Sequence, residues 1–358
     1  MKNRFAKSQM LPRERILAAI NHSPVDKLPL DYWGVPEVTD KLFKHFNVAN
    51  EMQLAKAMDI DLIFGVGASM TKPNRNGDWD IQMKRSPLPD GSGFYDVPVS
   101  NPLKNCTSIN EIDAVYEWPT TDMFDYSKVK QECKYIREQG YAVRIGYISL
   151  TYFYQLIRGN EEMMMDFAAE QEIAEYILYK INEFASSHTS RLLEAADGLV
   201  DISEVTDDFG SQIGLLYSKE MIEHYLGKYY VDNINMLKSY GVKVFHHNCG
   251  AIQSVIPWIS EKGCEILNPI QWHLPGWDLK KLKSEHGSKL CFHGGIDNQH
   301  VLPFGTIDEV KKEVDICIDN LFSDKTGYIL SSCHALQANT PLENILTMFS
   351  HAKAYSEI

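Results

Sequence analysis

A histidine and a cysteine stand two residues apart near the end of an apolar run, as His247-x-Cys249, and Gly250 follows them. Side chains two apart on a strand face the same side, so both can point at one ion. A third ligand is available from Cys333 or His334, at the end of another apolar run. Three such ligands with an open fourth position are typical of catalytic zinc. Ordinary packing also brings histidine near cysteine, but the second Cys-His pair favours a zinc site.

A second group of candidate residues is acidic, with Glu204, Asp207 and Asp208 following an apolar strand-like run. Carboxylates in a loop are ordinarily solvated. Near a metal they can also supply a fourth ligand, orient a ligating histidine or act as general acid and base. We predict that Glu204 and Asp207 are catalytic, with the solvated-loop interpretation as the alternative.

Other residues at the ends of apolar runs are candidates for substrate binding. We select Trp33, Tyr147, Asp208 and His273. The tryptophans that flank His273 are expected to wall a pocket or pack in the core rather than to perform chemistry. We assign no role to the remaining polar residues at these ends, which are Asp31, Asn268, Gln271, His293 and Asp297.

Eight short runs rich in β-branched and aromatic residues alternate with longer amphipathic stretches, the pattern of βα units. The predicted strands are Leu28–Trp33, Asp61–Val66, Ala142–Ile148, Gly198–Glu204, Val242–Asn248, Glu265–Ile270, Lys289–Gly295 and Gly327–Ser332. Helices are predicted between them, for example over Ser218–Tyr240 and Ile307–Leu321. This order favours an α/β fold of the (β/α)8 TIM-barrel type, in which active-site residues lie at the carboxyl ends of the strands. An open doubly wound sheet is the alternative, but no glycine-rich phosphate loop follows the first strand.

Two stretches depart from the plain barrel pattern. Pro12–Asn21 is predicted to be a helix before the first strand, as an N-terminal extension. About 75 residues separate the second and third strands, which is long for a βα connection. Turn-forming residues there predict a β-hairpin, with helices around Ile109–Tyr116 and Tyr126–Gln139 after it. We therefore expect one barrel domain over residues 1–358, with residues 67–140 as an inserted excursion.

Composition limits the classes of partner. The 358 residues carry a formal net charge of −13, which disfavours nucleic acid and anionic lipid as binding partners. No apolar run is long enough for a secretory signal or a membrane helix, so we expect a cytoplasmic protein. The seven cysteines have no short spacing, and in a reducing compartment most of them should be buried thiols.

Five motifs, in order along nearly the whole chain, resemble the uroporphyrinogen decarboxylase superfamily. They are Arg13-Glu14-Arg15 with Pro24–Pro29, Asp207-Asp208-x-Gly210-x-Gln212, His247-x-Cys249-Gly250, Gly294–Asp297, and Thr340-Pro341-x-Glu343-Asn344. The resemblance implies a (β/α)8 barrel and adds Gln212 to the candidate substrate-binding residues. The namesake decarboxylase carries an arginine-containing stretch after its first strand, where this chain reads Asp31-Tyr32-Trp33-Gly34-Val35. Haem-pathway decarboxylation is therefore not expected.

The other branch of the superfamily comprises zinc methyltransferases that work with corrinoid proteins. The resemblance implies that His247 and Cys249 are two zinc ligands and that a distant cysteine is the third. Counted back from Thr340 without a gap, that cysteine falls on His334, whereas a one-residue gap restores Cys333. One thiolate with two imidazoles favours Lewis-acid demethylation of a substrate, and two thiolates favour methylation of a thiol, as in the methylcobamide:coenzyme M enzymes.

Three hypotheses follow. The first is a zinc-dependent methyltransferase that moves a methyl group between a small-molecule donor or acceptor and a corrinoid. The sequence has no Asp-x-His-x-x-Gly cobalamin loop, so the corrinoid is expected on a separate protein. The second is a metal-free lyase that acts on a porphyrin-like or other carboxylate substrate, with Asp207 or Asp208 as the acid/base. The third is a barrel that only binds a corrinoid or tetrapyrrole, without catalysis. An oligomer remains possible under all three.

Overall fold

One large parallel sheet and two small antiparallel ones organise the chain in a computed structural model, which describes residues 9–72, 74–87, 94–169 and 171–356. In chain order the strands are β1 Phe64–Val66, β2 Ser69–Met70, β3 Met83–Pro87, β4 Phe94–Pro98, β5 Phe124–Asp125, β6 Val143–Ile148, β7 Ile202–Val205, β8 Lys243–His247, β9 Ile266–Asn268, β10 Cys291–Ile296 and β11 Tyr328–Ser332. The large sheet contains β1 and β6 to β11 in that order, and neighbouring strands are parallel. Every residue of β10 and β11 is buried, as expected where both faces of a parallel sheet are covered.

Helices follow the strands of this sheet. The α-helices are α1 Pro12–Ile20, α2 Pro36–Phe46, α3 Glu51–Met58, α4 Ile109–Val115, α5 Val129–Glu138, α6 Leu150–Arg158, α7 Asn160–Ala169, α8 Gln171–Ala196, α9 Lys219–Ser239, α10 Ile256–Lys262, α11 Leu279–His286, α12 Val301–Phe304, α13 Ile307–Leu321 and α14 Leu342–Ser356. Two 3-10 helices cover Thr121–Met123 and Gln253–Val255. Thr306 and Glu309 form a capping box at the start of α13, which satisfies amide groups that a helix end leaves unpaired. None of the helices in the described ranges has the length and apolar character that a membrane span needs.

Seven of the eight predicted strands are confirmed, with shorter bounds at most ends. The predicted helix Ile307–Leu321 has the same bounds as α13, and Pro12–Asn21 corresponds to α1. The apolar runs locate these elements correctly because most residues of the strands are buried, and β7, β9, β10 and β11 are buried throughout. Burial of both faces leaves a continuous apolar signal in the sequence.

The predicted first strand, Leu28–Trp33, is the exception, so the large sheet has seven strands in the described residues instead of the eight predicted. Within the described residues this segment forms no strand: Leu30 makes a single parallel bridge to β11. On the side facing β1, the Leu30 amide donates to the carboxylate of Asp61 at 3.0 Å. The Ile63 amide donates to the carboxylate of Asp31, also at 3.0 Å. For these two amides, side-chain carboxylates replace backbone carbonyls as acceptors. We call this junction, with its two carboxylates Asp31 and Asp61, the aspartate seam.

The long stretch between β1 and β6 contains a hairpin. β3 pairs antiparallel with β4, and β2 pairs antiparallel with β5. Residues 88–93 between β3 and β4, which include the predicted turn glycines 91 and 93, lie outside the described residues. The Phe94 amide donates to Gln337 Oε1 at 3.4 Å. The hairpin therefore contacts the chain just after β11, on the carboxyl side of the sheet.

Candidate metal centre

Three side chains with metal-binding atoms meet at the carboxyl ends of β8 and β11. His247 ends β8, Cys249 lies two residues further, and His334 lies two residues after β11. One nitrogen or sulfur atom from each lies within 4.8 Å of the other two. Gly250 has a φ of +99°, and a side chain there would meet the backbone of Gly210 at 2.5 Å. This glycine turn brings the chain back sharply and leaves the metal-binding atoms at the end of the strand.

The spacing of these atoms fits a tetrahedral ion. Cys249 Sγ lies 3.3 Å from His247 Nε2. Zinc bonds of about 2.0 Å to nitrogen and 2.3 Å to sulfur place such ligands roughly 3.5 Å apart. Among the described residues, nothing accepts from or donates to the buried Nδ1 of His334, although a buried polar atom ordinarily has a partner. The three residues therefore suit a bound metal ion.

Cys333 lies outside this group. It is buried, its thiol donates to the Ile270 carbonyl at 3.4 Å, and its amide donates to the Ile296 carbonyl at 2.8 Å. The chain bends at Cys333 and His334, directly after β11. Cys333 faces the core, whereas the ring centre of His334 lies 5.3 Å from that of His247.

Burial disfavours the charged forms of two of these groups. Burial raises the pKa of the Cys249 thiol well above its ordinary value, and the negative charge of Asp208 adds to the rise. Burial, followed by the positive charge of His247, lowers the pKa of His334 to about 4. The imidazole of His334 thus presents a lone pair. A thiolate at Cys249 needs a positive partner, which a divalent cation supplies.

Of the three acidic residues, Asp208 lies near the metal-binding atoms, and Glu204 lines a nearby cavity. Asp208 Oδ1 accepts from the Cys249 amide at 2.7 Å and lies 4.0 Å from His247 Nε2. Glu204 is buried and forms an ion pair of 2.7 Å with Arg144. Asp208, which we expected to bind substrate, is therefore adjacent to the ligand atoms themselves.

Asp207 points into the protein interior. One oxygen accepts from the Thr151 amide at 2.6 Å, the Thr151 hydroxyl at 2.7 Å and the Ser149 hydroxyl at 3.0 Å. The other accepts from the Tyr230 hydroxyl at 3.2 Å. Burial, partly offset by these hydrogen bonds, raises the pKa of Asp207 to about 6. Four donors from α6, its N-terminal cap and α9 favour an anchoring role over the catalytic role expected from the sequence.

A cavity of about 300 Å³ opens at the carboxyl ends of β1, β6 and β7, and Glu204, Arg144 and Tyr147 line it. The Arg144 guanidinium lies 5.0 Å from the ring centre of Trp33. Trp33 in turn stacks on the imidazole of His247, with ring centres 6.1 Å apart. The cavity therefore adjoins the metal-binding atoms through one indole ring, and its volume suits a small molecule.

A family model described as uroporphyrinogen decarboxylase (URO-D) matches residues 124–355, well over half of the chain. The chain belongs to the uroporphyrinogen decarboxylase family. The matched residues run from before β6 to beyond β11 and so include His247, Cys249 and His334. A search of curated protein sequences found no match.

The fold of this family member is similar to that of solved structures. A methyltransferase from Methanosarcina mazei has a TM-score of 0.67 at 15% identity, with 97% of this chain and 99% of that one covered. A GH113 β-1,4-mannanase has a TM-score of 0.44 at 8% identity, covering 93% and 99% of the two chains. A sugar phosphate isomerase/epimerase from Parabacteroides distasonis has a TM-score of 0.39 at 10% identity, covering 92% and 97%. The likeness to the methyltransferase supports the fold over nearly the whole chain.

Two predicted site residues of this uroporphyrinogen decarboxylase family member are not among the groups around the metal-binding atoms. Gln212 is exposed in the loop before α9. His273 Nε2 lies 2.6 Å from Glu313 Oε1 on α13, and its ring contacts Trp272 at 3.8 Å between centres. Both lie in loops whose conformation depends on contacts with residues distant in the sequence, such as Glu313 for His273. Their sequence positions alone did not indicate this.

Several residues around the centre received no role from the sequence. They are Arg144, Tyr95, Asp31, Asn268 and His293. Arg144 had a signal, because an arginine inside the apolar run of β6 is unusual in a buried strand. Tyr95 comes from the hairpin, with its ring centre 6.3 Å from that of His334. The other three stand at the ends of predicted strands, where a search for partners of His247 would have found them.

Proposed function

We propose that this protein is a zinc-dependent methyltransferase that moves a methyl group between a small molecule and a corrinoid carried by a separate protein. The observation that carries the proposal is the group formed by His247, Cys249 and His334 beside a cavity of about 300 Å³. Membership of the uroporphyrinogen decarboxylase family and the likeness in fold to a methyltransferase support it.

The architecture that we infer for this function is a single (β/α)8 barrel domain. In it, Leu28–Trp33 takes the place of the eighth strand between β11 and β1. Support comes from the bridge between Leu30 and β11 and from the Asp61 amide, which donates to the Leu30 carbonyl at 2.7 Å. Residues 67–140 then form an excursion that carries the β3–β4 hairpin over the carboxyl side.

The donor set indicates the direction of transfer. His247 Nε2, Cys249 Sγ and one imidazole nitrogen of His334 would hold the ion. Zinc with one thiolate and two imidazoles supplies Lewis acidity towards an oxygen or similar leaving group. This favours demethylation of a substrate, with the corrinoid cobalt as the methyl acceptor. Cys333 would favour thiol methylation if it were a ligand, but it is buried in the core and its thiol donates to the Ile270 carbonyl.

The residues around the cavity have separate tasks in this proposal. Glu204 is the acid/base residue, because it is buried in the cavity wall and its pairing with Arg144 holds its orientation. Tyr147 lines the cavity, and Trp33 lies between Arg144 and His247, so the substrate would pack against these two rings. Asp208 holds the Cys249 amide and so positions the thiol. Asp207 does not contact the substrate in this proposal, and it acts by anchoring the start of α6.

The first prediction concerns metal content. The purified protein should hold about one zinc per chain, as a three-ligand catalytic site does. His247→Ala and Cys249→Ala should each remove most of that zinc, because two remaining ligands bind the ion far more weakly. Elemental analysis of the purified proteins measures this, with the exposed His45→Ala as the matched control.

Activity is measured as methylation of free cob(I)alamin by the zinc-loaded protein with a panel of methoxylated and methylthio compounds. Zinc-dependent loss of the cob(I)alamin absorbance supports the proposal. A metal-free protein that is fully active, or that decarboxylates a carboxylate substrate, would replace it with the lyase hypothesis.

A further inference from the structure

A line of buried polar groups connects His247 to the aspartate seam. His247 Nδ1 lies 2.5 Å from Asn268 Oδ1, and Asn268 Nδ2 lies 2.8 Å from His293 Nδ1. His293 Nε2 lies 2.9 Å from Asp31 Oδ2. The side chains of Asp31, Asn268 and His293 are each 0% exposed. The ends of β8 and β9, the middle of β10 and the aspartate seam therefore contribute one continuous chain of hydrogen bonds, which we call the relay.

The chemistry of the groups fixes the direction of every hydrogen bond in the relay. A carboxylate only accepts, so His293 Nε2 must carry the proton that is donated to Asp31. Asn268 Nδ2 is within reach of both His293 Nδ1, at 2.8 Å, and the His293 carbonyl, at 3.3 Å, which only accepts. The amide nitrogen of Asn268 therefore faces His293 and donates to Nδ1. The amide oxygen of Asn268 consequently faces His247 and accepts from Nδ1–H. His247 Nε2 is left with a free lone pair, 3.3 Å from Cys249 Sγ.

The opposite orientation of the Asn268 amide would have the opposite effect. Its nitrogen would donate to His247 Nδ1, the proton of that ring would move to Nε2, and Nε2 would have no lone pair for a metal. Two contacts oppose this flip. Asn268 Nδ2 is also 3.3 Å from the His293 carbonyl, which only accepts. Asp31 holds the tautomer of His293 that needs a donor.

Asp31 is itself held in place by other donors. The indole nitrogen of Trp33 donates to its Oδ2 at 3.0 Å, and the Ile63 amide donates to its Oδ1 at 3.0 Å. Three donors satisfy the buried carboxylate as an anion. The negative charge at the far end of the relay therefore has a fixed position and a fixed orientation towards His293.

We propose that Asp31, His293 and Asn268 are positioning residues that hold His247 in the Nδ1–H tautomer and so aim its Nε2 lone pair at the metal. The inference rests on the proposed metal site and deepens it. A hydrogen bond from the second nitrogen of a ligating histidine also raises the basicity of the ligand. Asp31 thus acts on the metal from across the interior without touching it.

Two substitutions of His293 separate this role from a merely structural one. In His293→Gln the side-chain oxygen can accept from Asn268 while the nitrogen donates to Asp31, so the polarity of the relay is kept. In His293→Leu a side chain of similar reach keeps the packing but breaks the relay. We expect zinc affinity close to the unmodified value for the glutamine variant and on the order of 10–100-fold weaker for the leucine variant. Competition against a chromophoric zinc chelator measures both.

Asp31→Asn tests the far end of the relay, and Asp61→Asn is its matched control. Both remove a buried carboxylate charge from the aspartate seam, but Asp61 faces Arg15 and the Leu30 amide and has no bond to the relay. We expect Asp31→Asn to weaken zinc binding by a similar 10–100-fold and Asp61→Asn to lower thermal stability with zinc affinity unchanged. Equal losses of zinc affinity in the two variants would overturn the proposal.

A measurement on metal-free protein distinguishes failure of the relay from failure of the zinc site. Nitrogen-15 NMR of labelled histidine reports which ring nitrogen of His247 carries the proton. The unmodified protein and His293→Gln should show the Nδ1–H tautomer, and Asp31→Asn and His293→Leu should show a mixture or the Nε2–H form. An Nδ1–H tautomer in all four proteins would refute the relay. Absence of zinc binding with the expected tautomers would instead refute the proposed function alone.

Discussion

His334 and Cys333 are neighbours in the chain but face different surroundings in the fold. His334 presents an imidazole to His247 and Cys249, whereas the Cys333 thiol donates to a core carbonyl. We predict that His334→Ala loses most of its zinc, because two ligands remain. We predict that Cys333→Ala keeps its zinc and loses only stability through a small buried cavity.

X-ray absorption at the zinc edge distinguishes the two residues directly. The unmodified protein should show one sulfur and at least two nitrogen ligands from the protein. Two sulfur ligands in protein prepared without added thiol would make Cys333 the third ligand. That result would reverse the inferred direction of transfer towards thiol methylation.

At the scale of single residues, the sequence predicted well which metal-binding residues come together. It predicted less well the direction in which a side chain points. His247 and Cys249 follow from a spacing of two on one strand, a local rule. Asp207 and Asp208 cannot be separated by any local rule. Asp207 turns inward because Thr151 and Tyr230, 56 and 23 residues away, donate to it. Side-chain direction in such a loop depends on contacts that are distant in the chain.

At the scale of elements, the aspartate seam explains the one predicted strand that is not found. Leu28 and Leu30 are both 1% exposed, so the apolar pattern correctly predicts burial. Pro29 has no amide hydrogen, and the Leu30 amide is bonded to a carboxylate instead of a backbone carbonyl. Hydrophobic patterning indicates which residues are buried, but it does not indicate which group accepts the hydrogen bond from each backbone amide. It therefore cannot distinguish a strand from an extended segment held by side chains.

The contact between the loop after β9 and α13 leads to a prediction on pH. Burial lowers the pKa of His273, but the hydrogen bond and charge of Glu313 outweigh it, so the pKa is raised overall. A histidine whose pKa is higher in the folded state stabilises the fold below its unfolded pKa of about 6.5. This contribution is lost as the pH rises through the raised pKa. His273→Gln should therefore lower the melting temperature more at about pH 6 than at about pH 9.

Melting curves of His273→Gln and the unmodified protein across this pH range measure the difference. His45→Gln, an exposed histidine on α2, is the control and should show little difference at either pH. An equal loss at both ends of the range for His273→Gln would show that packing against Trp272, and not the ion pair, dominates the contact.

At the scale of the whole molecule, the metal-binding atoms lie at the carboxyl ends of β8 and β11, and the core lies within and around the sheet. Phe292 and Leu330, in neighbouring strands of the sheet, are fully buried. We predict that removing zinc with a chelator leaves the far-UV circular dichroism unchanged. The protein should still melt in a cooperative transition, at a lower temperature because binding to the native state stabilises it. Loss of the dichroism signal would mean that the ion holds the fold, as in zinc fingers.

The relay has a consequence for the order of events during synthesis. Asp31 and His293 are 262 positions apart, and His334 follows later still. Chains emerge from the ribosome from the amino end at about 5–20 residues per second. His247 and Cys249 thus emerge before His293, which orients His247 through the relay. They also emerge before His334, which completes the three metal ligands. A zinc ion that arrives early meets only two of the three ligands, so the proposed centre is complete only after His334, beyond β11, has emerged.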